Sequence, residues 1–341
     1  MEKKIKRGEM NKIKDVLVTG GAGFIGSALC RELIRRGYTV TVIDDFSTGR
    51  QENIADLIDH ERFRLITGSI TDETLVSKAV EETDLIYHLA ATVGVKKVVE
   101  DPLGTIMYDT IGTSIILRYA SAKQVKVVIT STSEVYGKSK KYPFNEEEDL
   151  VIGPPNVNRW SYACSKLLDE FFAIGYYRER KLPVVIIRLF NVVGPGQLGH
   201  YGMVIPRFFK MAMGNKPITV FGDGAQVRCF TYVDDAIDII IKLAGLDKAV
   251  GEVINLGSLN QISIKKLAIE IRHITGSSSK IVLEPYDKYY GRNFQDIKKR
   301  LPDLSKLKRI AGVIPKTSLK EILEKTLKYF MNNPEGLSRI E

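Results

Sequence analysis

A glycine-rich segment near the start of the chain constrains the fold more than any other feature. Residues 15–19 form a short apolar run typical of a buried strand, and Gly20–Gly26 lead from it into a helical pattern. Glycines at this spacing permit a tight turn, close backbone approach to a pyrophosphate, and close packing of the helix on the strand. The helix N-terminus then offers N–H groups and partial positive charge to phosphates. We therefore predict a dinucleotide site. No Lys-Ser or Lys-Thr pair follows, which argues against a nucleoside-triphosphate loop.

Two carboxylates follow at the distance that such a site requires. Asp44 and Asp45 end the next predicted strand, about 20 residues beyond the glycines. A carboxylate there accepts hydrogen bonds from the adenosine ribose hydroxyls and repels a 2′-phosphate. The position predicts NAD as the cofactor, in preference to NADP.

Strand and helix patterns alternate through the first half of the chain. This alternation predicts an α/β fold with a Rossmann-type, doubly wound parallel sheet. After Asn191 the elements shorten and Gly and Pro become frequent. We expect an NAD-binding domain over 15–190 and a smaller α+β substrate-binding lobe over 191–330, interleaved with the first domain. The strands are predicted at 15–19, 39–43, 63–67, 85–89, 126–130 and 184–189, with further strands at 218–221 and 252–255. The helices are predicted at 25–36, 73–80, 105–122, 161–178, 233–243, 264–274 and 318–330.

Charge and composition exclude several classes of protein. Fifty Lys and Arg oppose forty-one Asp and Glu, and the excess lies at residues 1–14 and 298–328, around a nearly neutral body. We interpret these charges as solvated helix faces and expect no nucleic-acid partner. No apolar run approaches the ~20 residues that span a bilayer, so no membrane partner is expected. Cys30, Cys164 and Cys229 stand far apart and have no metal-ligand spacing. We expect a cytoplasmic protein without a metal, and Met10 as an alternative start.

The motif Tyr-x-x-x-Lys occurs four times, at Tyr119, Tyr136, Tyr162 and Tyr177. The spacing places both side chains on one face only in a helix. We expect Tyr136 in a loop, Tyr119 on the wrong side of the sheet and Tyr177 at an exposed helix end. Tyr162 opens a long helix, and Lys166 follows one turn later. A lysine there is expected to lower the pKa of the tyrosine and make it a general base.

Several segments in the same order resemble the extended short-chain dehydrogenases/reductases that act on nucleotide sugars, the NAD-dependent epimerase/dehydratase group. The resemblance covers residues 15–330 and is closest to UDP-sugar 4-epimerases. The matching segments are 19–26, 88–91, 131–137, 162–166, 188–191 and 228–235.

This resemblance implies a role for each matching residue. Thr132, Tyr162 and Lys166 are expected to be catalytic, with Tyr162 as the base and Lys166 on the nicotinamide ribose. The substrate is expected to contact Thr132, Glu134, Asn191, Arg228 and Arg300. The cofactor is expected to contact Gly20, Gly23, Phe24, Ile25, Gly26, Asp44, Asp45, Ser47, Thr48, Gly49, Ser69, Ile70, Leu89, Ala90, Ala91, Tyr162 and Lys166. A homodimer is expected because relatives pair the helices at 105–122 and 161–178.

The resemblance leaves the reaction open. Dehydratases of the group have Asp-Glu after the threonine, whereas this chain has Ser133-Glu134, a pattern similar to that of uronate decarboxylases. Relatives that hold a uronate commonly have Thr at Val192 and Arg at His200, and both departures argue against an acidic sugar. We expect a UDP-sugar 4-epimerase for UDP-glucose/galactose or UDP-glucuronate that acts through a transient 4-keto sugar. The alternatives are a UDP-glucuronate decarboxylase and a nucleotide-sugar 4,6-dehydratase. The intact Thr132–Tyr162–Lys166 set argues against a non-enzymatic NAD-binding scaffold, and Asp44 against an NADPH-consuming reductase.

Overall fold

A computed structural model describes residues 13–197, 199, 203–286, 288 and 295–334, without the side chains of 95 and 96. Its centre is a seven-stranded sheet in which every neighbouring pair is parallel, with the strand order β11-β6-β5-β4-β1-β2-β3. These strands are β1 (Asp15–Thr19), β2 (Thr39–Asp44), β3 (Phe63–Thr67), β4 (Leu85–His88), β5 (Lys126–Thr132), β6 (Val184–Leu189) and β11 (Val253–Leu256). The predicted α/β, doubly wound Rossmann sheet is confirmed.

Helices cover both faces of this sheet. One face carries α1 (Phe24–Arg35) and α7 (Val233–Ala244), whose Leu33 and Ile240 belong to one hydrophobic cluster. The other face carries α2 (Glu73–Glu81), α4 (Pro102–Lys123) and α5 (Trp160–Arg180), which form a second cluster. Because both faces are covered, a strand such as β6 is apolar along most of its length.

Shorter elements form a second layer beside the carboxyl edge. β7 (Val192–Val193) pairs with β10 (Thr231–Tyr232), β8 (Ile218–Phe221) with β13 (Ile281–Glu284), and β9 (Val227–Cys229) with β12 (Gln261–Ser263). Among the described residues, further helices are α3 (Val95–Glu100), α6 (Val204–Met213), α8 (Ile264–Ile274), α9 (Ser305–Ala311) and α10 (Leu319–Asn332). One strand of the range 191–330, β11, joins the main sheet, so that range contributes to both layers.

Asn255 on β11 connects this late strand to earlier parts of the chain. It is fully buried, and its side chain accepts a hydrogen bond from the Tyr136 hydroxyl at 2.8 Å and donates one to the Phe144 carbonyl at 2.8 Å. Its backbone N–H donates to Glu146 at 2.8 Å. These bonds hold the segment after β5 against the far edge of the sheet.

Several elements extend beyond their predicted ends, and for two of them the local sequence gives the reason. Helix α4 begins three residues before its predicted start because Asp101 accepts from the Gly104 N–H at 2.9 Å and Pro102 occupies the first turn. Strand β5 continues two residues to Thr132, because Ser131 and Thr132 still pair with β6. In the described part of the chain, no helix is both long and apolar enough to cross a bilayer.

Candidate active site

The carboxyl edge of the sheet opens into a cavity of about 720 Å³. β1 and β4 are neighbours in the sheet, and the chain continues from them in opposite directions, from β1 to β2 and from β4 to β5. The cavity lies at this point, where α/β sheets bind ligands. Predicted site residues line it from one end to the other. They are Gly20, Gly23, Phe24, Ile25, Gly26, Asp44, Asp45, Ser47, Thr48, Gly49, Leu89, Ala90, Ala91, Thr132, Glu134, Tyr162, Asn191, Arg228 and Arg300.

The glycine-rich turn has the geometry of a dinucleotide cradle. Gly20 has a φ of +72°, and a Cβ at Gly26 would lie 2.1 Å from the Gly20 carbonyl oxygen. A side chain at either position would push the turn away from the cavity. Helix α1 begins at Phe24, directly after the turn, so its free N–H groups face the space that a pyrophosphate requires. These residues fit NAD.

Asp44 lies at the end of β2, within reach of the turn. Its two carboxylate oxygens accept from the Ala22 N–H at 2.9 Å and the Phe46 N–H at 2.8 Å. Burial raises its pKa, and these two hydrogen bonds oppose the shift. Asp44 therefore braces the glycine-rich turn in addition to facing the ribose position.

We expect Asp44→Ala to weaken NAD binding by roughly 10-fold or more and to reduce the preference for NAD over NADP. The carboxylate that accepts from the ribose and repels a 2′-phosphate is then missing. Titration of both cofactors against the purified protein measures the two affinities. Asp45→Ala is the matched control, because Asp45 lines the same cavity and accepts from the Ser47 N–H at 2.9 Å. An equal loss in both variants would contradict the assignment to Asp44.

Ser69 and Ile70, two residues expected to contact the cofactor, remain predictions. Neither is among the described residues that line the cavity. The Ser69 hydroxyl bonds the Thr71 hydroxyl at 2.8 Å, and the Ile70 side chain is buried against Gly112 of α4. Local turn bonding and packing therefore use both side chains.

The predicted catalytic residues come together at the end of β5 and the start of α5. Thr132 and Tyr162 both line the cavity, and the Thr132 hydroxyl acts to lower the pKa of Tyr162. Lys166 lies one turn beyond Tyr162, buried behind the cavity wall, and its Nζ is 2.8 Å from Asp169 Oδ2. Burial raises the pKa of Tyr162, and the charge of Lys166 opposes this rise without cancelling it. Lys166 thus lowers the pKa of Tyr162, as predicted, but burial keeps it above the ordinary value of a tyrosine.

A buried histidine connects three elements near Lys166. His88 Nδ1 lies 2.7 Å from the Thr19 hydroxyl oxygen, and its Nε2 lies 3.0 Å from the Thr113 hydroxyl oxygen. Burial and Lys166 lower the pKa of His88 to about 3, so the ring is neutral. His88 thus joins β1, β4 and α4 by buried hydrogen bonds.

Three arginines and two carboxylates form the opposite wall. Glu134 accepts from Arg300 Nη2 at 2.7 Å and from Arg159 Nη2 at 3.1 Å. Asp296 is held by Arg228 Nη2 at 3.0 Å to both oxygens. Arg159, Arg228, Arg300, Glu134 and Asp296 together carry a net positive charge, which suits an anionic substrate.

The cluster determines which of its members are charged. Burial disfavours the Glu134 carboxylate, but Arg159 and Arg300 outweigh it and lower its pKa. In the same way the arginines lower the pKa of Asp296 to about 2 against the effect of burial. Burial and the neighbouring arginines lower the pKa of Arg300 to about 10, which leaves it protonated at neutral pH.

Sequence reasoning did not select Arg159, Asp296 or Tyr286. Tyr286 donates to Asp296 at 2.8 Å and lines the cavity beside Phe221. Arg159 directly precedes α5, a position that could have indicated a side chain facing the cleft. Asp296 lies in a segment without a recognisable period, and no sequence signal identifies it.

Of the other positions considered for the substrate, Asn191 and Val192 line the cavity. Asn191 has a left-handed backbone (φ 40°), and its amide donates to the Cys229 carbonyl at 2.8 Å. Val192 is buried beside it and lines the cavity. His200 lies outside the described residues.

The other three Tyr-x-x-x-Lys pairs have no place in the cavity lining. Tyr119 donates to Glu73 on the surface at 2.7 Å. Tyr136 is not in an open loop as predicted, because it lies in a buried 3₁₀ turn, stacked on Phe144 at 4.4 Å. Tyr177 lies against Gly251, near the end of α5.

Comparison with known proteins agrees with this geometry. The sequence model of the GDP-mannose 4,6 dehydratase family matches residues 17–326. The chain is 42% identical to the UDP-N-acetyl-alpha-D-glucosaminuronate decarboxylase of Bacillus cytotoxicus, covering 93% of this chain and 98% of that one. It is 33% identical to UDP-glucuronic acid decarboxylase 1 of Xenopus tropicalis, covering 94% and 73%.

A solved structure gives the same result. The UDP-glucuronic acid 4-epimerase of Bacillus cereus, in complex with UDP-glucuronic acid and NAD, superimposes with a TM-score of 0.84 at 31% identity, covering 93% of this chain and 99% of that one. The cradle, the Tyr162–Lys166 pair and these similarities lead to one conclusion: the chain belongs to the GDP-mannose 4,6-dehydratase family, and is an NAD-dependent enzyme of the extended short-chain dehydrogenase/reductase superfamily of nucleotide-sugar epimerases, dehydratases and decarboxylases.

Proposed function

We propose that this chain is a UDP-uronate decarboxylase that acts on UDP-N-acetylglucosaminuronate or UDP-glucuronate. The observation that carries the proposal is Glu134, an ionised carboxylate two residues from Thr132 and held by Arg159 and Arg300. A dehydratase needs an aspartic acid beside this glutamate, and Ser133 stands in its place. The names of the relatives from Bacillus cytotoxicus and Xenopus tropicalis support the same reaction.

The first step is oxidation at C4 of the sugar. Tyr162, in the phenolate form that Thr132 and Lys166 favour, takes the proton from O4 as the C4–H bond breaks. NAD held by the glycine-rich turn and Asp44 would supply the acceptor for the C4 hydride and its later donor. The 4-keto uronate is a β-keto acid, in which the carbonyl can accept the electrons that carbon dioxide leaves behind.

Carbon loss then follows from the same ketone. The C5–C6 bond breaks, its electron pair moves into an enolate over C5, C4 and O4, and carbon dioxide departs. Tyr162, now protonated, donates toward O4. C5 then takes a proton from solvent, which replaces the lost carbon dioxide. Return of the hydride to C4 gives a UDP-pentose, with no net change in the redox state of NAD.

The apolar side chain of Val192 suits a decarboxylase better than it suits an enzyme that only binds a uronate. A carboxylate that must depart as neutral carbon dioxide gains nothing from strong cationic donors, which stabilise the charged ground state. Val192 supplies no donor to the pocket. Valine at position 192, where relatives that hold a uronate commonly have threonine, therefore supports decarboxylation and does not exclude an acidic sugar.

The test is to incubate the enzyme separately with UDP-N-acetylglucosaminuronate, UDP-glucuronate and UDP-glucose, and to follow carbon dioxide release and proton NMR of the product. We expect a UDP-pentose from one of the two uronates and no carbon dioxide from UDP-glucose. Six-carbon products with inverted C4 would overturn decarboxylation and leave C4 oxidation intact.

UDP-sugar 4-epimerisation, the reaction expected from the sequence, is the second candidate. The observation that favours it is the similarity to the Bacillus cereus 4-epimerase along nearly its whole length. In that reaction the 4-keto sugar turns over in the cavity before the hydride returns. The two reactions share Thr132, Tyr162 and Lys166, and they differ in whether C6 is retained and in whether C4 is inverted.

We also propose a homodimer through the outer faces of α4 and α5. Both helices bury one face in the core and still carry large exposed apolar side chains on the other. These are Leu103, Met107 and Ile111 of α4 and Leu168 and Phe171 of α5. A second copy of the chain would remove this apolar surface from water.

Phe171→Glu should therefore produce a monomer in analytical ultracentrifugation, whereas the unaltered chain should sediment as a dimer. The new carboxylate would have to be dehydrated in an apolar interface, which costs free energy and opposes dimerisation. Met331→Glu is the matched control, since Met331 is 66% exposed and Phe171 is 67% exposed. A monomer in all three proteins would reject the dimer.

A further inference from the structure

A second cavity, of about 500 Å³, lies apart from the active-site cavity. None of the described residues that line it also lines the active-site cavity. Part of its lining is apolar and buried, namely Cys229, Leu301 and Leu304. Pockets that bind small organic molecules have this size and a largely apolar lining. The reaction proposed above makes no use of this space.

Two large apolar side chains of the second cavity are exposed to water. Tyr142 is 37% exposed and Leu259 is 56% exposed. The Tyr142 ring packs on the buried ring of Phe144, with 5.2 Å between the centroids. An aromatic ring and an aliphatic side chain at the edge of an apolar hollow offer contact area to a flat organic body.

Lysines give the second cavity a preference for anions. Lys299 and Lys308 line it, and both belong to the basic segment 298–328. Lys299 Nζ lies 5.7 Å from the centroid of the Tyr142 ring, so a cation and an aromatic ring stand together at the cavity. A ligand that carries both an aromatic group and a negative charge would match this pair.

The carboxylate of the second cavity does not cancel this preference. Among the described lining residues, Asp303 is the acidic one. Its two oxygens already accept from the Ser305 N–H at 2.8 Å and from the Asn145 side-chain amide at 3.0 Å. Two lysines against one carboxylate that the protein itself engages leave the cavity positive.

The two cavities share a wall made of two adjacent backbone segments. Val227 forms a β-bridge with Lys299, and its carbonyl accepts from the Arg300 N–H at 3.2 Å. Side chains of these segments alternate between the two sides of the wall, as side chains of extended backbone do. The active-site cavity is lined by Arg228 and Arg300, and the second cavity by Cys229, Lys299 and Leu301. An occupant of the second cavity would therefore lie directly behind the backbone that carries both arginines.

We propose that the second cavity is an effector site for a small organic anion with a flat aromatic body, and that its occupant weakens binding of the nucleotide diphosphate. The aromatic body would contact Tyr142 and the buried apolar lining, and its negative group would meet Lys299 and Lys308. Negative charge added behind Arg228 and Arg300 opposes a second anion in front of them. The site itself does not rest on the proposed function. Its effect on the substrate does, because UDP is part of the proposed substrate.

The first measurement uses the full chain loaded with NAD and saturating UDP, which fill the active-site cavity. The probe is anilinonaphthalene sulfonate, a flat aromatic anion whose fluorescence rises in apolar surroundings. Leu259→Glu should weaken its binding by roughly 10-fold, because the new carboxylate repels the sulfonate. Leu283→Glu is the matched control, since Leu283 is 48% exposed and lines neither cavity. Equal affinities in these two variants would overturn the site.

A second pair of variants tests the charge preference. Lys308→Gln should weaken binding of the dye by about 3-fold or more, because it removes a cation from the lining. Lys320→Gln removes an exposed lysine of α10 that lines neither cavity, and it should leave the affinity unchanged. An unchanged affinity in Lys308→Gln would overturn the assignment to an anion.

Competition distinguishes two sources of an aromatic anion. AMP represents nucleotides, and phenylpyruvate represents aromatic acids. Displacement of the dye by one of them supports the proposal and identifies the source. Displacement by neither would mean that the cavity binds the dye only, and would overturn the proposal.

The effect on the substrate is measured by calorimetric titration of UDP into the NAD-loaded chain, with and without the competitor that displaces the dye. We expect the occupant to lower the affinity for UDP by roughly 3-fold or more, and to have little effect in Leu259→Glu. An affinity for UDP that the occupant leaves unchanged would overturn the effector role. Absence of UDP binding without any occupant would instead overturn the proposed function, while binding of the dye still tests the site.

Discussion

Replacing Tyr162 with phenylalanine should reduce turnover by roughly 10³-fold or more, because the group that takes and returns the O4 proton is lost. Only one oxygen is removed, and the phenyl ring fills the same space. We expect the variant to fold, to melt within a few degrees of the unaltered enzyme and to retain NAD. Release of carbon dioxide and formation of reduced nicotinamide in a single turnover measure the loss.

The chain supplies its own controls for this substitution. Tyr119→Phe and Tyr177→Phe alter the same motif outside the cavity and should leave turnover nearly unchanged. If Tyr162→Phe kept more than about a tenth of the activity, general-base catalysis by Tyr162 would be rejected.

Glu134→Gln should lower kcat for carbon dioxide release by roughly 10²-fold, and KM should fall with it. The ionised glutamate repels the substrate carboxylate in the ground state, and that repulsion disappears as carbon dioxide forms. Removing the charge leaves three arginines facing one carboxylate, Asp296, so the uronate should bind more tightly and react more slowly. Rapid-mixing absorbance should then show reduced nicotinamide that persists, since oxidation at C4 does not require Glu134.

Glu147→Gln is the matched control, because Glu147 is an exposed carboxylate that pairs with Lys306 away from the cavity. It should leave both constants in place. A rise in KM for Glu134→Gln with kcat unchanged would mean that Glu134 only binds the substrate, and the proposed repulsion would be wrong.

The fold was accessible from the sequence because its signals are local. The apolar run at 184–189 and the glycine-rich turn each specify an element without reference to distant residues. Two of the differences between predicted and observed bounds also have local causes. The earlier start of α4 follows from the helix cap at Asp101–Pro102, and the later end of β5 follows from strand pairing of polar residues up to Thr132. The choice of Tyr162 among four tyrosines also needed only helix spacing and its place after β5.

The electrostatics of the site were less accessible. The pKa of Tyr162 depends on burial, which its own motif does not show, and on Asp109 from a different helix. Asp296 meets Arg159 and Arg228 only because separate segments converge at one edge of the sheet. Such convergence is a property of the tertiary fold, and spacing along the chain does not encode it.

The three bonds made by Asn255 affect how the molecule assembles. They join residues separated by 109, 111 and 119 positions, so forming each bond costs the conformational entropy of closing a long loop. During synthesis, the segment after β5 that bears Glu134 stays without its far-edge support until the ribosome has released residue 255. A partly synthesised chain that ends before residue 255 contains all of its cofactor cradle but lacks this support for its substrate wall.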